Sequence, residues 1–358
     1  MSTDRGRKAT PICFHHDMPL YNEIIQWHHL RWGDKERFMV SFTSNDSIAK
    51  ALILGGAVGD AYGAPFEYTF QRGKFTPSWT STAITGGGLI GRAPKGTWTD
   101  DTSMTLATIA SLKDNDGNVN TIDMLFKYAE WAHNGAYTID GVCTDCGNTT
   151  RRAISPFVES IIRAQISQTK HRDIPQRCIC DDERSNGNGS LMRIAPLALT
   201  DATDDEIMRI SATTHAHPVS MHACVQWVHA LRLVIGGMDA ADAFAESADY
   251  MRANGMESVS ERFAHIGDYD KSEISGKGYV VSTMEAAAWS VINADSYEQS
   301  VFNACSLGDD TDTVACIAGS VAGVIHGIGG TNGIPEQWIR DLRGMELINT
   351  AINEIESL

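Results

Sequence analysis

Apolar residues recur with the spacing of an α-helix along most of the chain after residue 47, and few stretches alternate with a period of two. Because a helix turns every 3.6 residues, this spacing places apolar side chains on one face that can be buried. Gly319 and Gly323 interrupt one such stripe and would allow close contact with a second helix. Ser47 is a good N-cap for a first helix. The pattern predicts an all-α fold, with further helices at 102–112, 121–133, 151–167, 205–213, 219–235, 239–253, 282–293, 296–305 and 312–328.

The charge balance excludes some classes of partner. The chain has 358 residues, 42% of them hydrophobic, and a formal net charge of −16 at pH 7. An acidic surface repels phosphate backbones and anionic lipids, so we expect neither nucleic acid nor a membrane as partner. No stretch has the eighteen or so apolar residues that span a bilayer, and the N-terminus has no apolar signal-peptide core. These features predict a cytoplasmic protein.

Residues 1–45 differ in composition from residues 46–358. They contain four of the twelve histidines and two of the eight tryptophans, Trp27 and Trp32. Tryptophan, tyrosine and arginine are common anchors of protein interfaces, and this segment is too apolar for an inert tail. It either packs on its own domain or binds a partner. We therefore divide the chain into an N-terminal extension, 1–45, and a main domain, 46–358.

Two clusters of carboxylates and hydroxyls each lie just before an apolar helix. Asp and Thr favour helix starts, so N-capping is one explanation, but a single cap needs only one such residue. Hard oxygen ligands suit Mg²⁺ or Mn²⁺, and two clusters suggest a site for two metal ions. The oxygen-bearing residues are Thr99, Asp100, Asp101 and Thr102 in the first cluster, and Asp309, Asp310, Thr311, Asp312 and Thr313 in the second.

Two glycine-rich loops accompany the acidic clusters. The first, 186–190, precedes Arg193. Exposed backbone N–H groups at a helix start can bind phosphates, and an arginine can assist. The second loop, 276–278, precedes Tyr279, whose ring could stack on a base. An ordinary turn and a core tyrosine are the alternatives to these two functional interpretations.

Together these stretches resemble the ADP-ribosylglycohydrolase family. The paired T-D-D-T and D-x-D-T elements are highly specific in this arrangement. The resemblance implies an all-α, compact multi-helix domain around a binuclear centre of two Mg²⁺ or Mn²⁺ ions. The matching stretches are GGAVGDAYGAPFEY (55–68), GTWTDDTSM (96–104), GNGSLMRIAPLAL (187–199), TTHAHP (213–218), GKGYVVSTMEAAAW (276–289) and LGDDTDTVACIAGSVAGVIHG (307–327).

The resemblance also implies a role for each residue that matches a family motif. The implied metal ligands are Thr99, Asp100 and Asp101 for one ion, Asp310 and Thr313 for the other, and Asp312 bridging the two. Asp101 or Glu67 would be the catalytic acid or base, and the residues alone do not rank them. The implied substrate contacts are Asn188, Gly189, Ser190 and Arg193 at the diphosphate and ribose, His215 near the ribose, and Tyr279 beside the adenine.

The implied activity is hydrolysis of the glycosidic bond between ADP-ribose and a protein side chain. The W-T-D-D-T form at 98–102 resembles the arginine-specific members, so we expect ADP-ribosylarginine as substrate. One alternative is a non-catalytic, crystallin-like member, although all six proposed metal positions hold competent oxygen ligands. Another is an immunity protein against an ADP-ribosyltransferase toxin, which reverses the modification and binds the toxin through residues 1–45.

Overall fold

All regular secondary structure in the described part of the chain is helical. The computed structural model describes residues 47–68, 93–167, 180–256, 259 and 261–358. Within these ranges there is no β-strand, and only two isolated β-bridges occur. The all-α class predicted from sequence is confirmed. The predicted N-terminal extension, 1–45, lies outside the described residues.

Twelve α-helices span the described residues. Short 3-10 helices link them, among them Asn188–Ser190 in the first glycine-rich loop. None of the described helices is both long enough and apolar enough to cross a membrane. The bounds are α1 Ile48–Gly63, α2 Asp100–Asp114, α3 Thr121–Asn134, α4 Asn148–Ser167, α5 Asp204–Ala212, α6 Pro218–Ile235, α7 Ala240–Ala253, α8 Val280–Ile292, α9 Tyr297–Cys305, α10 Thr311–His326, α11 Glu336–Asp341 and α12 Met345–Glu356.

Ten of these helices lie close to their predicted positions, and two were missed. Ser47 caps α1, because its hydroxyl accepts a hydrogen bond from the Lys50 N–H at 3.0 Å. The six residues of α11 are too few to show a periodic pattern, although this helix buries Trp338 completely. The longer α12 does bury an apolar stripe that the sequence analysis overlooked, consisting of Ile348, Ala351, Ile352 and Ile355.

The closest contact in the core joins α1 to α10 along a seam of small residues. A Cβ atom added to Gly55 would lie 2.3 Å from the Gly319 carbonyl oxygen, and one on Gly319 would lie 2.4 Å from the Gly55 carbonyl oxygen. A Cβ on Gly323 would lie 2.3 Å from the Ala51 carbonyl oxygen. Atoms cannot approach so closely, so only glycine fits at these positions. The close contact predicted for Gly319 and Gly323 is confirmed.

The seam continues to the first residue of α10. A Cβ on Gly63 would lie 2.4 Å from the Thr311 carbonyl oxygen, and the Thr311 hydroxyl donates to the Gly63 carbonyl at 2.8 Å. The helices therefore run antiparallel, with the end of α1 beside the start of α10. This arrangement places Asp60 of α1 next to Asp312 in the first turn of α10.

We expect Gly319→Ala to lower the free energy of unfolding by about 1–3 kcal/mol, since the added methyl group forces α1 and α10 apart. A glycine-to-alanine change inside a helix otherwise stabilises by about 1 kcal/mol, so the expected sign is reversed here. Urea denaturation measures the difference. The control is Gly147→Ala at an exposed site, where the new Cβ would find only the Thr150 hydroxyl, at 4.0 Å. Equal stability of Gly319→Ala and the unmodified protein would contradict the tight seam.

Candidate active site and metal centre

Two groups of buried carboxylates meet where the end of α1 adjoins the starts of α2 and α10. The oxygens of Asp60, Asp101 and Asp312 lie within 4.8 Å of one another, and so do those of Glu67, Asp310 and Asp312. Asp312 therefore belongs to both groups. The two acidic clusters of the sequence, which are about two hundred residues apart, are brought together as predicted.

Asp60 is a member of the site that the sequence analysis missed. It is completely buried in α1. Its carboxylate accepts hydrogen bonds from the Thr99 N–H at 3.0 Å, the Thr102 N–H at 3.0 Å and the Thr102 hydroxyl at 2.6 Å. Burial raises the Asp60 pKa to about 6, against the opposing effect of these donors. Asp60 thus ties α1 to the start of α2 and fixes the position of Asp101.

Helix capping explains only part of the first acidic cluster. Thr99 does cap α2, because its hydroxyl accepts from the Asp101 N–H at 3.4 Å. The same hydroxyl donates to Asp101 Oδ2 at 3.0 Å, and the Thr313 hydroxyl of α10 donates to that oxygen at 3.3 Å. Asp101 is therefore held from both helices rather than used as a cap.

Capping also explains only part of the second cluster, in which Asp312 Oδ1 accepts from the Thr313 N–H at 3.0 Å. Asp310 occupies the N-cap position of α10 but makes no side-chain capping hydrogen bond. Its Oδ2 instead accepts from Asn188 Nδ2 at 2.9 Å, and this amide also donates to the Thr283 hydroxyl at 3.1 Å. The first glycine-rich loop is thereby joined directly to the carboxylate site.

Asp100 stands apart from the other predicted carboxylate ligands. It is half-buried and belongs to neither of the two carboxylate groups. Burial raises its pKa to about 8, and the negative charge of Asp145 is the next largest cause. Asp145 thus contributes to the negative field of the site, although it lies outside both acidic clusters of the sequence.

Within the described part of the chain, the carboxylate site has unsatisfied oxygens and no compensating side-chain cation. Asp101 Oδ1 and Glu67 Oε2 are buried and have no hydrogen-bond partner among the described residues. No described lysine or arginine forms an ion pair with any carboxylate of the two groups. Buried charges without partners are costly. Carboxylate and hydroxyl oxygens are ligands that Mg²⁺ and Mn²⁺ prefer, so the donor set fits a divalent cation.

Burial and mutual repulsion raise the pKa values of the whole group. Burial, followed by the charge of Asp310, raises the Glu67 pKa to about 8. The pKa values of Asp101 and Asp312 lie well above their ordinary value for the same two reasons, burial first and neighbouring carboxylates second. A bound cation would oppose both effects, because it stabilises the ionised carboxylates.

The two glycine-rich loops form one continuous wall beside the carboxylates. The Asn188 N–H donates to the Gly278 carbonyl at 3.1 Å, and the Val280 N–H donates to the Asn186 carbonyl at 3.0 Å. Gly187 and Tyr279 form an antiparallel β-bridge. Of the predicted substrate contacts, Tyr279 is the exposed one, with 46% of its surface accessible.

Arg193 and Ser190 lie behind this wall rather than on its surface. Arg193 is completely buried, and its guanidinium donates to the Gly189 carbonyl at 2.7 Å and to the Thr214 hydroxyl at 2.7 Å. The Ser190 hydroxyl accepts from the Ser211 hydroxyl at 2.9 Å. The structure therefore gives both residues contacts that hold the loop in place.

His215 packs against the same loop. Its ring would lie 2.9 Å from a Cβ atom on Gly189, and its Nδ1 lies 2.8 Å from the Thr214 hydroxyl. Burial and then the nearby Arg193 charge lower the His215 pKa to about 3. The imidazole is therefore neutral at physiological pH and contributes a hydrogen-bonding group rather than a charge.

Comparisons with known proteins identify the family of this chain. A family model described as ADP-ribosylglycohydrolase matches residues 43–358. The chain is 29% identical to the ADP-ribosylarginine hydrolase Tri1 of Pseudomonas putida (strain GB-1), over 86% of this chain and 77% of that protein. It is also 29% identical to the ADP-ribosyl-(dinitrogen reductase) glycohydrolase of Rhodospirillum rubrum, over 82% of this chain and 90% of that enzyme.

Comparison with solved structures indicates the same family. A solved structure described as an ADP-ribosylglycohydrolase-related protein complex superposes with a TM-score of 0.64 at 28% sequence identity. The match covers 86% of this chain and 97% of that one. The family resemblance carried by the six sequence motifs is thus confirmed, and the chain belongs to the ADP-ribosylglycohydrolase family.

Proposed function

We propose that this protein is a divalent-cation-dependent hydrolase that removes ADP-ribose from modified arginine side chains of proteins. One observation carries the proposal. This chain belongs to the family and contains two groups of buried carboxylates that share Asp312. Two oxygens of these groups, on Asp101 and Glu67, have no hydrogen-bond partner among the described residues. Such oxygens are suited to a cation or a transferred proton.

In this proposal the cations are two Mg²⁺ or Mn²⁺ ions. Such ions, if bound there, would lower the pKa of a water molecule and so would supply a nucleophile near neutral pH. Asp60 positions the start of α2 through the hydrogen bonds that it accepts from three donor groups, the Thr99 N–H, the Thr102 N–H and the Thr102 hydroxyl. The residues assigned to the ions are Thr99, Asp100 and Asp101 for one, Asp310 and Thr313 for the other, and Asp312 for both.

The wall made by the two glycine-rich loops is the proposed binding surface for ADP-ribose. Tyr279 is exposed and offers its ring to the adenine. Asn188 and Gly189 face the diphosphate and ribose, and His215 supports them as a neutral hydrogen-bonding group. Ser190 and Arg193 would assist substrate binding indirectly, because their hydrogen bonds hold this loop in place.

The reaction breaks the bond between the anomeric carbon of the distal ribose and the arginine nitrogen. The oxygen of a water molecule forms a new bond to that carbon, and a proton of the water ends on the departing nitrogen. Glu67 and Asp101 are the candidate groups that move this proton, at Oε2 and Oδ1 respectively, because these oxygens have no hydrogen-bond partner among the described residues.

The relatives support arginine as the modified side chain. A second ADP-ribosylarginine hydrolase Tri1, from Serratia proteamaculans (strain 568), is 29% identical over 86% of this chain and 78% of that protein. The alternative of a non-catalytic, crystallin-like member is opposed by the oxygen ligands present at all six assigned metal positions. The cytoplasmic location expected from the sequence is part of the same proposal.

We expect the purified protein to release ADP-ribose from arginine-linked substrates and not from serine-linked ones, and we expect a chelator to stop the reaction. Asp312→Asn should lower the rate by at least about 100-fold, since loss of even an indirect metal contact costs 10- to 100-fold. Release of ADP-ribose, measured by chromatography, reports both effects. The matched control is Asp205→Asn, an exposed aspartate in the first turn of α5. Full activity of Asp312→Asn in chelator would refute the metal assignment.

In chelator, we expect the melting temperature to fall by at least about 2 °C between pH 5 and pH 8. The folded-state pKa of Glu67 and that of Asp100 are each raised to about 8, and that of Asp60 to about 6. A raised acid pKa contributes stability that is complete below the unfolded-state pKa and is lost as the pH rises through the folded-state value. With saturating Mn²⁺ the decline should disappear, because cation binding favours the ionised carboxylates. A melting temperature in chelator that rises over this range would contradict the assignment.

Residues 1–45 are proposed to bind an ADP-ribosyltransferase, which would make the protein an immunity factor as well as a hydrolase. The proposal rests on their aromatic content and on the family match, which begins only at residue 43. Deletion of residues 1–40 should leave hydrolysis near normal and abolish binding to the transferase in a pull-down assay. Retained binding, or loss of hydrolysis through unfolding, would show instead that the segment belongs to its own domain.

A further inference from the structure

Tyr68 has an unfavourable backbone conformation at the edge of the site. It is one of four non-glycine residues with positive φ in the described part of the chain, and its φ is +47°. Its N–H donates to the carbonyl of Asp309 at 2.8 Å, and Asp309 has a φ of +60°. Such conformations cost roughly 1–2 kcal/mol each and persist where the surroundings require them. Two of the four residues with positive φ are therefore hydrogen-bonded to each other beside the carboxylates.

The Tyr68 hydroxyl lies close to Gly278. A Cβ atom on Gly278 would lie 3.7 Å from Tyr68 Oη, 3.7 Å from Asn188 Nδ2 and 2.7 Å from Asp310 Oδ2. The three side chains thus converge on one point of the wall. Tyr68 Oη makes no hydrogen bond to a described residue, and 54% of the surface of Tyr68 is exposed. The hydroxyl is available to a ligand.

Gly278 adjoins both ends of the proposed substrate site. Tyr279, the proposed adenine platform, follows it directly in the chain, and Oδ2 of Asp310, a proposed metal ligand, would lie 2.7 Å from a Cβ atom on it. A ligand whose ribose lies at the carboxylates and whose adenine lies at Tyr279 has its diphosphate between them. The group nearest Gly278 would therefore be a phosphate.

We infer that Tyr68 is a substrate-binding residue whose hydroxyl donates a hydrogen bond to a diphosphate oxygen of ADP-ribose. The inference rests on the proposed function, because it takes the orientation of the ligand from it. A hydroxyl bonded to a charged oxygen contributes more than one bonded to a neutral oxygen. Tyr68 is the last residue of the 55–68 stretch that matches the family, but the motif by itself assigns no role to its hydroxyl.

The test is Tyr68→Phe, which keeps the ring and removes only the donor. In the presence of Mn²⁺, calorimetry should show ADP-ribose binding at least about tenfold more weakly than to the unmodified protein. ADP, which lacks the distal ribose, should lose the same factor. Adenosine, used as a competitor, should bind both proteins equally because it has no phosphate.

Tyr137→Phe is the matched control. Tyr137 also has a positive φ, +60°, and belongs to neither carboxylate group nor to the two glycine-rich loops. Its replacement should leave the affinity for ADP-ribose unchanged. Equal melting temperatures of Tyr68→Phe and the unmodified protein would show that the fold is intact.

Two results would overturn the inference. One is an unchanged affinity of Tyr68→Phe for ADP-ribose, and the other is a loss confined to ADP-ribose, which would assign the hydroxyl to the distal ribose. Failure of the proposed function gives a different result, since the unmodified protein would then neither bind ADP-ribose nor release it from arginine.

Discussion

The backbone contact between α1 and α10 is the constraint on which the site depends. Glycines on both helices let the carbonyl oxygens of one touch the Cα atoms of the other. The hydrogen bond from the Thr311 hydroxyl to the Gly63 carbonyl, at 2.8 Å, joins the two helices and helps to fix their register. Tyr297 Oη of α9 donates to the Gly55 carbonyl at 2.6 Å and so ties a third helix to the same contact. A slip of one turn would move the helices by about 5.4 Å and separate Asp60 from Asp312.

This contact concentrates negative charge in the protein interior, and the surrounding groups compensate only part of it. The backbone and hydroxyl donors at the start of α2 satisfy Asp60, and the Asn188 amide donates to Asp310. Asp101 and Glu67 each retain one oxygen without a described partner. An interior selected only for stability would replace such groups with apolar ones. Their presence is therefore understandable as a requirement of chemistry rather than of folding.

The sequence predicted most helices because their apolar stripes are long and regular. It also predicted the two acidic clusters, since each is a local pattern of adjacent residues. It missed Asp60, because a single aspartate in an apolar helix has no local pattern and its partners Thr99 and Thr102 lie about forty residues further along the chain. It could not show that Arg193 points inwards to the loop carbonyl, since the direction of a side chain depends on packing between distant segments.

The seam has a consequence for the order in which the protein is made. The two helices that form it, α1 and α10, are far apart in the described chain, and the hydrogen bond from Thr311 to Gly63 joins residues 248 positions apart. Synthesis proceeds from the N-terminus, so α1 is made long before α10. The apolar surface of α1 that α10 covers stays exposed during that time. Contacts between such distant segments are slow to form because a long loop must close first. Until α10 emerges from the ribosome, nascent chains lack the site and expose a surface that chaperones recognise.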